Sequence, residues 1–156
     1  MSLEGIETLI VPASIVRQTE RGLRRAARDG YEVFVLWSGT DEGTAFRVRN
    51  AHLPRQSSYK TRTGLLVRVD GEALHRLNTW LYAHEEILVA QVHAHPTDAF
   101  HSDTDDAYPI VTSLGGFSIV APDFARDGLF THETAAYRLT ETGWAAVSAG
   151  QVIEVA

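Results

Sequence analysis

The chain has 156 residues, a formal net charge of −6 and no cysteine. This length suits one domain with its own hydrophobic core. The acidic balance argues against general nucleic-acid binding, and the lack of cysteine excludes disulfides, thiolate metal sites and cysteine-protease chemistry. No apolar run approaches the ~20 residues of a membrane-spanning helix, and the N-terminus lacks a signal-peptide pattern, so we expect a cytoplasmic protein without membrane contacts.

The first part of the chain predicts a strand, a helix and a hairpin. Residues 8–11 are apolar and indicate a short strand. Residues 15–28 carry apolar side chains at helical spacing, and Ser14 is the expected N-cap. Arginines occupy the rest of this helix, which favours a solvated face over a docking face for an acidic partner. Residues 32–38 predict a buried strand, and residues 44–49 predict a half-exposed strand that completes a hairpin with it.

The middle of the chain contains the longest stretch without periodicity. Residues 50–64 are polar and are predicted to form a loop, in which residues 55–63 are expected to act as a mobile flap. A strand over residues 65–69 follows. Residues 71–84 then show a second apolar helical stripe, with Asp70 as the expected cap.

The last part of the chain predicts further strands, over residues 117–120, 135–139 and 151–155. Trp144 is expected to anchor the core between the last two. Strands and helices alternate along the chain, but hairpins occur as well. The sequence therefore predicts an α+β domain with a mixed sheet between helices.

The most informative stretch follows a near-continuous apolar run over residues 87–92, which predicts a strand buried on both faces. Because side chains alternate along a strand, His93 and His95 project from the same face and can bind one metal ion. Pro96 has no N–H to donate and is expected to end the strand.

A short loop leads from there to Ser102, where the first turn of a helix is predicted. Ser102 and Asp105 lie three residues apart and share one helix face, so Asp105 can give a carboxylate oxygen to the same metal. Asp106 is the alternative ligand. The same Ser-x-x-Asp pattern is also typical of a helix capping box. Two histidines and one carboxylate leave a fourth position for water, which is the pattern of hydrolytic zinc sites.

These residues, His-x-His-Pro followed by Ser-x-x-Asp, resemble the JAMM motif of the JAB/MPN metalloproteases, and in particular the small prokaryotic JAB proteins. That family also carries a glutamate on an early strand, seven residues before a glycine, as Glu32 precedes Gly39 here. Val33 and Phe34 stand where the family often has glycines. The resemblance implies one JAB/MPN-like domain over residues 1–156, with a curved mixed sheet flanked by helices in a cytidine-deaminase-like architecture.

The resemblance also implies the chemistry. His93, His95 and Asp105 would bind Zn²⁺. Glu32 would act as the general acid/base on the metal-bound water, and Ser102 would hydrogen-bond the oxyanion. The implied protein is a deubiquitinase-like zinc isopeptidase or peptidase that cleaves after the C-terminal glycine of a ubiquitin-like protein, in deconjugation or precursor processing. Its implied partners are that modifier, its conjugates and E1- or E2-like proteins. The alternatives are a zinc amidase acting on another small substrate and a non-catalytic JAB-like binding scaffold.

Overall fold

A computed structural model describes residues 2–61, 64–100 and 110–156. The strands of the described part are β1 (Thr8–Val11), β2 (Val35–Asp41), β3 (Ala45–His52), β4 (Gln56–Thr61), β5 (Gly64–Val69), β6 (Ile87–Ala94), β7 (Phe117–Ala121), β8 (Ala135–Thr140), β9 (Gly143–Val147) and β10 (Ile153–Val155). Its helices are α1 (Ala13–Arg28), α2 (Gly71–His84) and the short α3 (Ala149–Val152).

Eight of these strands form one curved mixed sheet in the order β10-β1-β3-β2-β6-β7-β8-β9, and β4 and β5 form a separate two-stranded ribbon. The pairs β1–β10, β1–β3 and β6–β7 are parallel, and the remaining pairs of the large sheet are antiparallel. This arrangement confirms the predicted α+β class with helices flanking a mixed sheet. No helix in the described part of the chain is long and apolar enough to cross a membrane.

Helix α1 covers one face of the sheet through a stripe of buried side chains four residues apart, at Ile15, Thr19 and Leu23. Thr19 is buried because its hydroxyl is satisfied twice: it donates to the Ile15 carbonyl oxygen (2.8 Å) and accepts from Trp37 Nε1 (2.9 Å). The predicted N-cap at Ser14 is wrong. The helix begins at Ala13, two residues before the start that this cap predicts, and the Pro12 carbonyl oxygen accepts its first hydrogen bond from the Ile15 N–H (2.9 Å).

Helix α2 covers the opposite face, where Leu77 and Leu81 form a smaller core cluster with Phe34 and Leu36. Asp70 occupies the predicted N-cap position, but its side chain makes no capping hydrogen bond. The carboxylate lies 3.3 Å from Arg55 Nε instead.

The predicted loop over residues 50–64 is wrong for most of its described residues, while the mobility expected of residues 55–63 stays a prediction. Strand β3 continues to His52, and β4 pairs antiparallel with β5 to form the ribbon. The strand was missed because its sequence, Gln-Ser-Ser-Tyr-Lys-Thr, is polar throughout. A strand that belongs to a two-stranded ribbon buries little apolar surface, so the alternation that marks a half-buried strand is absent.

The C-terminal predictions also need correction. Helix α3 occupies the first part of the predicted 151–155 strand, and only β10 is extended. Strand β9 was not predicted, and Trp144, expected as a core anchor, lies on it and is only partly buried. Among the described strands, β9 pairs with β8 alone and forms an edge of the sheet, which leaves its side chains half in solvent.

Candidate metal centre

Two buried histidines mark the end of the central strand. β6 lies between β2 and β7, and His93 is its second-last residue. His95 follows the strand directly. Only 2% of the His93 surface and 7% of the His95 surface is exposed. A histidine pair this deeply buried at a strand end requires a polar or metal partner, because imidazole nitrogens are costly to bury unsatisfied.

The two imidazoles converge as ligands of one ion would. Their Nε2 atoms lie 3.2 Å apart, and their ring centroids lie 5.1 Å apart. Two nitrogens that each bind a tetrahedral zinc ion at about 2.0–2.1 Å are about 3.3 Å apart, so the pair fits two neighbouring zinc ligands. The same distance also suits a hydrogen bond between a protonated and an unprotonated nitrogen.

Aromatic rings flank the pair and fix the orientation of both imidazoles. The Phe34 ring lies 4.7 Å from the His93 ring, and the Phe100 ring meets the His95 ring edge-on at 4.7 Å. Phe34 thus occupies a position at which the JAB/MPN resemblance leads us to expect a glycine. Its side chain forms a wall of the histidine site.

Both backbone polar groups of His95 are hydrogen-bonded. Its N–H donates to the Ala121 carbonyl oxygen at the end of β7 (2.9 Å), and its carbonyl oxygen accepts from the Phe124 N–H (2.8 Å). The first bond extends the β6–β7 ladder by one residue beyond the strand. Together they fix the backbone from which the second imidazole projects.

Glu32 does not lie on a strand, contrary to the prediction for residues 32–38. Strand β2 begins at Val35. The reason is that β3 ends at His52, opposite Leu36, so the residues before β2 have no neighbouring strand on that side. The segment 31–34 is instead held at its start by the Tyr31 N–H, which donates to the Ala26 carbonyl oxygen (3.0 Å), and at its end by the Gln56 side chain, which bonds the Phe34 backbone.

Glu32 lies three residues before β2, and the cavity that it lines does not include His93 or His95 among its lining residues. β2 and β6 pair so that Val35 lies opposite Val92. If this antiparallel register continues for three residues, Glu32 lies opposite His95. The contact between Phe34 and His93 agrees with that continuation. Glu32 is partly buried and lines a cavity of about 480 Å³ between α1 and β4.

The remaining candidates, Ser102 and Asp105, lie outside the described residues, as do the alternative ligand Asp106 and the predicted helix turn that carries them. Within residues 2–61, 64–100 and 110–156, no three histidine, aspartate or glutamate side chains form a group that could hold a metal ion. Of the predicted ligands, the structure therefore describes two, His93 and His95, and brings them together.

The comparison with known proteins identifies the family of the chain. No family model matches the chain. The chain is 40% identical over 138 residues to the probable metalloprotease y4jG of Sinorhizobium fredii, a match that spans 88% of this chain and 85% of the relative. The chain belongs to this metalloprotease family.

The fold is shared with a protein of much lower sequence identity. The solution structure of protein DSY2949 from Desulfitobacterium hafniense matches the metalloprotease chain with a TM-score of 0.66 at 11% identity, and the match covers 96% of this chain and 93% of the other. At this level of identity the match shows a shared fold.

Sequence reasoning missed two glutamines whose side chains hydrogen-bond the backbone of other segments. The Gln91 side chain is fully buried, and its Oε1 accepts from the Ile110 and Val111 N–H groups (2.9 Å each). The second is Gln56, whose side chain bonds the Phe34 backbone. A signal for Gln91 exists in the sequence, because a single polar residue within the apolar run of β6 must find hydrogen bonds inside the protein.

The other described histidines lie apart from the pair. His52 Nε2 lies 2.7 Å from the Ser38 hydroxyl, which in turn donates to Glu86 Oε1 (2.8 Å). Burial lowers the pKa of His52, and the Glu86 carboxylate opposes this by raising it. His84 stacks on Trp80, with 3.9 Å between ring centroids. These contacts give both histidines a structural role.

Proposed function

We propose that the chain is a zinc-dependent peptidase, and specifically an isopeptidase that hydrolyses the bond after the C-terminal glycine of a ubiquitin-like protein. The observation that carries the proposal is the buried pair of Nε2 atoms, 3.2 Å apart at the end of β6, in a member of a metalloprotease family. The distance alone also suits a hydrogen bond between the two rings, so the membership of a metalloprotease family is what favours a shared metal ion.

The proposed ligands are His93, His95 and Asp105, with Asp106 as the alternative third ligand. Neutral imidazole and carboxylate are both common zinc ligands, and three protein ligands leave a position for water. When bound, zinc polarises a carbonyl and lowers the pKa of a coordinated water to about 7. Zinc is the proposed metal because two histidines, one carboxylate and an open water position are a recurrent ligand set of hydrolytic zinc sites.

Glu32 is the proposed general acid/base. A carboxylate in this position can take a proton from the attacking water and return it to the leaving amine. The β2–β6 register and the contact between Phe34 and His93 support this role, because both direct the segment before β2 towards the histidines. Ser102 is the proposed hydrogen-bond donor to the oxyanion of the tetrahedral intermediate.

The substrate class is supported by the motif resemblance and by the ribbon of β4 and β5. Among the described strands, β4 pairs only with β5, so its second edge offers main-chain groups to an extended peptide. Recognition by an added strand suits the flexible tail of a ubiquitin-like modifier. The proposed partners are that modifier, its conjugates and E1- or E2-like enzymes.

The test uses two substrates that share one modifier: an isopeptide between its C-terminal glycine and a lysine side chain, and a linear fusion at the same glycine. We expect the zinc-loaded chain to cleave the isopeptide, and Glu32→Gln to lose nearly all turnover while it retains zinc. Glu141→Gln, which alters an exposed glutamate in the turn after β8, is the matched control and should behave as wild type. Bound zinc without hydrolysis of any peptide or isopeptide would contradict the proposal.

A further inference from the structure

A strained turn follows β7 and contacts the metal centre. Three consecutive residues other than glycine, Asp123, Phe124 and Ala125, all have positive φ, at 51°, 52° and 58°. L-residues seldom adopt this left-handed conformation, and adjacent examples are rarer still, since each brings its Cβ too close to the backbone. Such strain persists only where surrounding contacts impose it, and it concentrates at functional sites.

The left-handed turn, residues 123–125, hydrogen-bonds the backbone of the short segment that begins at His95. The Phe124 N–H donates to the His95 carbonyl oxygen (2.8 Å), and the Asp123 N–H donates to the Thr97 carbonyl oxygen (2.9 Å). The two acceptors flank Pro96, which has no backbone N–H and therefore cannot donate a hydrogen bond of its own. The unusual backbone of the turn thus directs two successive N–H groups at one short segment.

Helix α1 holds the turn in place from the other side. Arg24 Nε donates to the Ala125 carbonyl oxygen (3.0 Å), and Ala125 itself is fully buried. One helical turn earlier, Glu20 Oε2 accepts from the Leu129 N–H (2.7 Å). The two side chains clamp the same segment at two points, but only Arg24 bonds the left-handed turn.

We propose that Arg24 is a positioning residue of the metal centre, which acts through the left-handed turn to fix the backbone of His95. This inference rests on the proposed function, because it concerns the same metal site. It also gives Arg24 a role that the other arginines of α1 do not share. Those arginines are still predicted to form a solvated face. Groups that hydrogen-bond metal ligands directly contribute about 10- to 100-fold to metal affinity or activity, and for Arg24, which acts through the turn, we expect the lower end of that range.

The test measures zinc affinity by competition with a chelator, and the visible absorption spectrum of the cobalt-loaded protein. We expect Arg24→Ala to bind zinc roughly 10-fold more weakly than wild type, with an altered cobalt spectrum. Arg24→Lys, which keeps one donor and the charge, should recover part of the affinity and serves if Arg24→Ala does not fold. Arg21→Ala, at an exposed position of the same helix, should match wild type.

Glu20→Ala separates positioning from general stability. It loosens the same segment at Leu129, so we expect a lower melting temperature with wild-type zinc affinity. Wild-type affinity in the Arg24 variants, or an equal loss of affinity in Glu20→Ala, would overturn the inference. These outcomes differ from failure of the proposed function, which would appear in the wild type itself as absent zinc binding or absent hydrolysis.

Discussion

The side-chain amide of Gln56 pairs with both backbone polar groups of Phe34. Its Oε1 accepts from the Phe34 N–H (2.7 Å), and its Nε2 donates to the Phe34 carbonyl oxygen (3.0 Å). A second bond from Nε2, to the Pro54 carbonyl oxygen (3.0 Å), anchors the amide to its own loop. One side chain therefore takes the place of a neighbouring strand for the segment that carries Glu32.

This relationship gives a prediction for catalysis. Gln56→Ala releases the segment 31–34, so we expect kcat to fall by up to about 10²-fold, because small displacements of a catalytic group are costly. Zinc affinity should change little, since His93 and His95 are anchored by β6 and β7. Steady-state kinetics and chelator competition measure the two effects. Gln18→Ala, at an exposed position of α1, is the control. An unchanged kcat in Gln56→Ala would disprove the positioning of Glu32 by this amide.

A second prediction concerns Gly39, which lies at the irregular part of the β2–β3 pairing. A Cβ at Gly39 would overlap the Arg47 carbonyl oxygen of the neighbouring strand, and backbone cannot move aside as a side chain can. We expect Gly39→Ala to lower the free energy of unfolding by about 1–3 kcal/mol or more. Gly71→Ala is the matched control, because no atom lies within 4 Å of its Cβ position. Urea denaturation compares the two, and equal stabilities would refute the steric argument.

The third prediction is a pH effect on stability that arises at His52. Burial holds the pKa of His52 in the folded chain below its ordinary value, which is about 6.5. As the pH falls below about 6.5, the unfolded chain therefore takes up this proton before the folded chain does, and the free energy of unfolding decreases. Above that pH the imidazole is neutral in both states, so this contribution to stability is fully present.

His52→Gln removes this titration while it keeps a possible donor to Ser38. We expect the loss of stability between about pH 7.5 and pH 5.5 to be smaller in His52→Gln than in wild type, as measured by denaturation at each pH. All other titrating groups are common to the two proteins, so their contributions cancel in the comparison. His132→Gln, which alters an exposed histidine, should keep the wild-type pH dependence. The same slope in both variants would show that His52 does not cause the effect.

The parts of the fold that were predicted correctly have local signals. The stripes of α1 and α2 repeat at helical spacing, and β6 is an apolar run, so each could be assigned without its neighbours. Strands β4 and β9 could not be assigned in this way. Each pairs with one strand only and buries little apolar surface, so its identity depends on a partner rather than on its own pattern.

The same distinction applies to the site. The convergence of His93 and His95 follows from alternation along one strand, which the sequence shows directly. The support for these residues could not be predicted, because it comes from distant parts of the chain. Gln56 lies 22 residues from Phe34, and Arg24 lies 101 residues from Ala125. Only tertiary packing brings these pairs together.

The most direct test of the metal centre is elemental analysis of the purified chain after incubation with zinc, in wild type, His95→Ala and the control His132→Ala. We predict about one zinc ion per chain in wild type and in the control, and none in His95→Ala, since a site that loses a ligand from its buried histidine pair cannot hold the ion tightly. A wild-type chain without metal, or His95→Ala with a full complement of zinc, would contradict the assignment of His93 and His95 as metal ligands.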